Sequence, residues 1–206
     1  MFDSGIAAAD LITGLKDEID VAQAIPNTEY VFWLNSLQQL LYSEFIKEQR
    51  KVTIISPTAG VISIDDEVLD PSEGESRLRF EDIYRVYADG TELTKATLSS
   101  GAIFPNAYYK VGKDIGYNVE GVSDMVIIYF ARPELITVDD DDDTIDEDAI
   151  VMLPYEFLDL VKARLRGEAY KLANEDDTAA KWLNDYNVLL ENFKNWLTTR
   201  NPTLGM

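Results

Sequence analysis

Residues 137–150 read TVDDDDDTIDEDAI, and eight of the fourteen carry a carboxylate. Such a run could serve as a calcium loop, as a catalytic acid cluster, or as a solvated crossing. An EF-hand calcium loop places oxygen ligands at positions 1, 3 and 5, glycine at 6 and glutamate at 12. Counting from Asp139, Asp141 and Asp143 fit, but position 6 is Thr144 and position 12 is Ile150. Starts at Asp140 or Asp141 put Thr144 or Ile145 at position 5. The motif fails. A block of like charge repels itself and stays extended in water, so the stretch reads as a solvated acidic loop over 138–152. A loose cation site is the weaker alternative.

Other chemistries are bounded by residue type. The 206 residues include no cysteine and no histidine. Thiolate nucleophiles, disulfides, Cys-ligated metals, imidazole ligands and Ser-His-Asp triads are therefore excluded. Catalysis would have to rest on carboxylates, lysine, tyrosine or backbone groups. A glycosidase-like carboxylate pair stays open, but with 38 acidic residues, proximity in sequence singles none out. The Gly112-Lys113 step is not a P-loop, because Ala107 stands where the first glycine belongs and Asp114 where Ser or Thr belongs. Gly112, Gly116 and Gly121 read as bulges and turns in strands. Arg77, Arg79 and Arg85 are expected to pair with Glu81 and Asp82, with a partner's carboxylates as the weaker alternative. Lys162 and Lys171 are expected to be solvated on a helix. The reading is therefore a protein with no catalytic, cofactor-binding or metal-binding residues, and not an enzyme.

Charge and hydropathy narrow the class further. The net charge is −20, from 18 Lys+Arg against 38 Asp+Glu. Affinity for nucleic acid comes mainly from cationic neutralisation of phosphates, so an ordinary DNA- or RNA-binding module is excluded. Two acidic roles survive: a DNA mimic, or a surface past which DNA slides without sticking. A hydrophobic content of 46% is too high for a disordered chain. No apolar run approaches a membrane span, and Met1-Phe2-Asp3-Ser4 lacks the basic start of a signal peptide. A soluble protein made in a cytoplasm is expected.

The elements follow from periodicity. Residues 6–20 carry a moderately amphipathic helical pattern. A second helix is expected from Asn27, as its N-cap, to about Gln49. Its buried face would comprise Tyr30, Trp33, Leu34, Leu37, Leu40, Leu41 and Phe45. The middle changes to β-branched, alternating runs at 52–55, 61–64, 80–87, 107–118 and 125–130, with Asp89-Gly90 as a hairpin turn. These predict one antiparallel sheet of about five strands. The helical period returns at Pro154, a good first helical residue. One helix spans 154–173, with Gly167 marking close helix approach. A short link at 174–177 leads to a last helix over 178–199. Trp182, Tyr186, Leu189, Leu190, Phe193, Trp196 and Leu197 give that helix an apolar stripe that must be covered. Trp33 and Trp182 read as core, whereas Trp196, near the chain end, reads as a contact residue.

The fold class is α+β: an antiparallel helical bundle, from N-terminal helices and a C-terminal helical hairpin, carrying a β-sheet or hairpin insertion. The chain reads as a single composite domain over 1–206. Its parts are helical (1–50), β-rich (51–137), the acidic loop (138–152), the helical hairpin (153–200) and a tail (201–206).

Six stretches together carry a family likeness: YVFWLNSLQQLLY (30–42), RFEDIYRVYADG (79–90), YYKVGKDIGYNVEG (108–121), IYFARPELIT (128–137), LPYEFLDLVKARLRGEAYKLANED (153–176) and AAKWLNDYN (179–187). In this order they resemble the head-to-tail connector, or adaptor, proteins of tailed bacteriophages. They cover much of the chain and none is a catalytic motif. The long acidic run is unusual for that family.

The resemblance implies a structural virion protein, assembled in the host cytoplasm and residing in the neck. It implies a homo-oligomeric ring, usually a dodecamer, that docks beneath the portal protein. The ring would receive a downstream neck or tail protein, continue the DNA channel without binding DNA specifically, and touch no membrane. It further implies that the C-terminal segment reaches the portal, here Asn201, Pro202, Thr203, Leu204, Gly205 and Met206 with Trp196 at its root. The competing readings are an acidic DNA mimic that inhibits a nucleic-acid-binding protein and a carboxylate-based hydrolase. The mimic requires phosphate-like carboxylate spacing over one face. The hydrolase requires two acids converging in a pocket.

Overall fold

The computed structural model describes residues 5–46, 49–55, 57, 60–62, 80–97, 105–112, 114–130, 132–133, 135–139 and 141–200. The chain divides into two compact units, one built from 1–46 with 135–206 and the other from 47–134. The architecture is α+β, with a C-terminal helical hairpin and a β-rich middle.

The first unit is helical and discontinuous in sequence. It contains α1 (Ala8–Glu18), α2 (Asn27–Glu44), α3 (Leu158–Leu172) and α4 (Asp176–Arg200). Leu11, Ile12 and Leu15 of α1 join Tyr30, Leu34, Leu37 and Leu41 of α2 in one core. From the far end of the chain, Leu160, Val161, Leu165, Tyr186 and Phe193 complete it. Full burial of each large side chain is worth roughly 1.5–3 kcal/mol as an upper bound, which holds the two sequence-distant halves together. The expected close approach at Gly167 is present. A Cβ there would lie 2.7 Å from Cδ2 and 2.8 Å from Cγ of Leu183 across the hairpin, so any larger residue forces the Leu183 side chain to shift.

Three helical expectations shift. Helix α2 ends at Glu44, and Gln49 already opens a strand. Leu40 is 45% exposed rather than part of the buried face, because the helix turns it toward the side occupied by Phe32, itself 64% exposed. Pro154 does not open α3: it precedes a 3-10 turn at Tyr155–Phe157, and the α-helix begins at Leu158.

Among the described residues, the second unit contains two four-stranded sheets around one core, where one antiparallel sheet of about five strands is expected from the sequence. In order across the first sheet lie β1 (Gln49–Ile55), β8 (Asp124–Phe130), β3 (Ile83–Ala88) and β4 (Thr91–Glu92). The second runs β2 (Val61–Ile62), β7 (Asp114–Asn118), β6 (Ala107–Val111) and β5 (Thr94–Lys95). One pairing, β5 with β6, is parallel, against the antiparallel expectation. The chain crosses between sheets at buried Leu93, whose N–H bonds the Val86 carbonyl on one side while Thr94 bonds Asn106 on the other. Residues 107–118, read as one broken strand region, form β6 and β7 around a turn at Gly112, which has φ of 62°.

The predicted Asp89-Gly90 hairpin is present. Both residues have positive φ, 45° and 78°, as a type I′ turn requires. The Asp89 carboxylate also accepts the backbone N–H groups of Ser123 and Asp124, each at 3.0 Å from Oδ1. Those bonds, that to Asp124 first, hold it below the usual carboxylate range.

Candidate functional site

The acidic run is a structured hairpin rather than an extended crossing. Strands β9 (Val138–Asp139) and β10 (Thr144–Ile145) pair antiparallel. Its carboxylates act on their own backbone. Asp139 Oδ1 accepts the N–H of Asp141, Asp142 Oδ1 accepts the N–H and hydroxyl of Thr144, and Asp146 Oδ1 accepts the N–H of Asp148. Such local bonds stabilise turns and offset part of the like-charge repulsion.

Asp143 does more. Its backbone sits in the left-handed region at φ 56°, a conformation Asp tolerates. This aims the carboxylate at the start of α2. Oδ2 accepts the Asn27 N–H at 2.7 Å and Oδ1 the Thr28 N–H at 3.0 Å. Asn27 returns its side-chain amide to the Asp143 carbonyl at 2.6 Å. The expected N-cap, Asn27, is thus the first helical residue, and no local side chain caps α2. The cap is an anion delivered from elsewhere in the chain, where the helix dipole favours one.

Two further side chains of α2 fasten the same segment. Asn35 Oδ1 accepts the Ile136 N–H at 3.0 Å, and its amide donates to the Ile136 carbonyl at 2.8 Å. Gln38, fully buried, accepts the Met152 N–H at 2.6 Å. The acidic hairpin is therefore tied to α2 at three points, before, within and after the run. Beyond it, Ala8 donates to the Ala149 carbonyl and Val151 to that of Ile6, so the segment also closes the N-terminus of α1.

Trp196 is half-buried on α4. Its ring stacks on Phe193 at 6.1 Å and meets Phe157 edge-on at 5.1 Å. It packs against the core of its own unit, as Trp33 and Trp182 do. The other predicted contact residues, Asn201, Pro202, Thr203, Leu204, Gly205 and Met206, lie outside the described residues.

The ion pairs differ from expectation. Glu81 pairs with Lys110, whose ammonium donates to it and holds it below its ordinary range. Asp82 takes a two-bond grip from Arg132, at 2.6 Å from Nε and 2.7 Å from Nη2. Arg85 lies over the Tyr84 ring and 3.7 Å from Glu92. Arg77 and Arg79 lie outside the described residues. Strand pairing set these partners, which spacing along the chain does not reveal. On α3, Lys171 is exposed and Lys162 half-buried.

Among the described residues, no group of three or more acidic side chains is arranged to hold a metal ion. No described helix is long and apolar enough to cross a membrane. What the geometry supplies is shape and charge: an acidic hairpin pinned to a helix, and a β unit in which, among the described residues, Arg50, Lys51, Arg85, Lys95 and Lys110 lie on strands. Three residues were missed by sequence reading, namely Asp143 as cap, Asn35 and Gln38. The buried glutamine carried the one local signal, a polar residue on an otherwise apolar helix face. No protein-family model and no curated protein matches the chain.

Proposed function

We propose that this protein is a structural component of a tailed-phage neck: an adaptor forming a ring beneath the portal, continuing the DNA channel and joining capsid to tail. The observation that carries the reading is the layout. A helical unit made from both ends of the chain carries a β-rich unit inserted between α2 and α3. That is the arrangement expected from the resemblance of stretches 30–42, 79–90, 108–121, 128–137, 153–176 and 179–187.

Electrostatics supports the same role. A net charge of −20 per subunit, repeated around a ring, repels a DNA backbone rather than holding it. The pinned hairpin keeps a dense part of that charge in a defined place, instead of on a wandering loop. The task requires faces that assemble and a lumen that does not bind DNA, and no bond is made or broken.

Electron microscopy of the purified protein mixed with the portal protein tests this directly. A rotationally symmetric ring coaxial with the portal is expected. A monomer that ignores the portal and instead binds a polymerase or nuclease overturns the reading in favour of the DNA mimic.

A further inference from the structure

Asp89 is followed by glycine, and no other aspartate in the chain is. An aspartyl side chain can be attacked by the amide nitrogen of the next residue. The nitrogen bonds to Cγ, and the hydroxyl of the protonated carboxyl leaves with the amide proton as water. A five-membered succinimide results. Water then opens the ring. Addition at the main-chain carbonyl breaks its bond to nitrogen and leaves the chain running through Cβ, as isoaspartate. The water lost is regained, and nothing is oxidised or reduced. Glycine makes the attack easiest, because no Cβ shields its nitrogen. Asp89 and Gly90 are both exposed, and nothing lies within 4 Å of where a Gly90 Cβ would stand.

The fold opposes the same reaction. The Asp89 N–H donates to the Asp124 carbonyl at 3.0 Å. Its Oδ1 accepts the N–H groups of Ser123 and Asp124, each at 3.0 Å, and Oδ2 accepts that of Ser123 at 3.2 Å. The carboxylate is thereby held toward the start of β8. Cyclisation needs rotation about Cα–Cβ, which breaks the carboxylate bonds. It also needs rotation about the Asp89 Cα–C bond, which breaks the type I′ turn. The bonds, that from Asp124 first, also keep the carboxylate below its usual range, and an ionised carboxylate has no hydroxyl to lose.

We propose that Asp89 is a site of isoaspartate formation gated by the fold, converting only in molecules whose β3-β4 turn has come away from Ser123 and Asp124. Such local openings are reversible. The conversion puts an extra main-chain atom into a two-residue turn and shortens the carboxylate's arm, so the clamp does not re-form as it was. Isoaspartate at 89 therefore accumulates as a record of openings at that end of the sheet.

The test compares the full folded chain with the synthetic peptide VYADGTELTK, residues 86–95, which trypsin also releases from the chain. Both are aged side by side at neutral pH, and isoaspartate at position 89 is measured by electron-transfer mass spectrometry. The folded chain should convert at least about tenfold more slowly than the peptide. The Ser123 and Asp124 amides of the parent should be protected from hydrogen exchange by a similar factor, since one opening frees them and the carboxylate together. Ser123→Pro removes one donor just before a strand, where proline is tolerated. It should convert several-fold faster than the parent with an unchanged circular dichroism spectrum.

Equal rates in chain and peptide would mean that the fold gates nothing. A peptide that leaves Asp89 unconverted would remove the site. A folded Ser123→Pro as slow as the parent would discard the clamp as the gate. The exchange measurement uses the parent alone, so it decides the same point where Ser123→Pro does not fold: unprotected Ser123 and Asp124 amides beside slow conversion would overturn the proposal.

Discussion

The Asp143 carboxylate caps a helix whose first residue, Asn27, lies 116 positions earlier in the chain, at 2.7 Å from its backbone N–H. The acidic run thereby acquires a fixed end. Replacing Asp143 with Ala should lower stability by about 1–2 kcal/mol, the usual cost of a lost N-cap. Asp143→Asn should cost less, since an amide oxygen still accepts and Asn tolerates the left-handed backbone. Asp141→Ala, an exposed neighbour, should change stability by less than about 0.5 kcal/mol. Urea unfolding of the three variants measures this, and equal effects at 141 and 143 would mean that the cap contributes nothing.

Gly167 and Gly14 make a matched pair of substitutions on helices. At Gly167 a Cβ collides with Leu183, so Gly167→Ala should destabilise by about 1–3 kcal/mol despite the better helix propensity. At Gly14 nothing lies within 4 Å, so Gly14→Ala should stabilise by about 0.5–1 kcal/mol. Adding Leu183→Ala to Gly167→Ala should relieve the clash, giving a double mutant less damaged than the two single effects sum to. Thermal melts of the four proteins decide it.

How much of this was legible beforehand follows from how far each signal reaches. Helices α3 and α4, the tight approach at Gly167 and the Asp89-Gly90 turn rest on contacts between residues near in sequence, and periodicity shows them. The cap at Asp143 and the Asn35 clamp join positions about a hundred residues apart, and nothing local distinguishes Asp143 from Asp142. The two-sheet arrangement hinges on Leu93, flanked by strands of two residues each, too short to show alternation. The pairings of Asp82 with Arg132 and Glu81 with Lys110 depend on register in the same way. Trp196 looked uncovered at the chain end, but Phe157, from the turn before α3, covers it.

Acid should weaken the protein partly through Asp89. The carboxylate is held below its ordinary value in the folded state, by backbone bonds from Asp124 and Ser123. A depressed folded pKa adds stability that is present above the unfolded value, about 4, and disappears as pH falls through the folded value. Asp89→Asn keeps the turn, since Asn-Gly suits type I′. It should flatten the loss of stability below about pH 4 compared with the parent. Denaturation midpoints at pH 3 and pH 7 give the comparison, and identical slopes would remove Asp89 from the acid response.

Trp196 and the tail should separate. Removing residues 201–206 should weaken portal attachment and leave the circular dichroism spectrum unchanged. Trp196→Ala should instead lower stability, by up to about 3 kcal/mol, because the ring packs on Phe157 and Phe193. Co-sedimentation with the portal protein and chemical denaturation read the two effects. A truncation that unfolds the chain would refute the separation.

The proposed ring of this chain at the portal is open to direct observation. Cryo-electron microscopy of particles assembled with and without the protein tests it most directly. A rotationally symmetric ring of this chain between portal and tail is expected, present only when it is supplied, with DNA density passing through an unbound lumen. Particles whose necks are identical with and without the protein would contradict it.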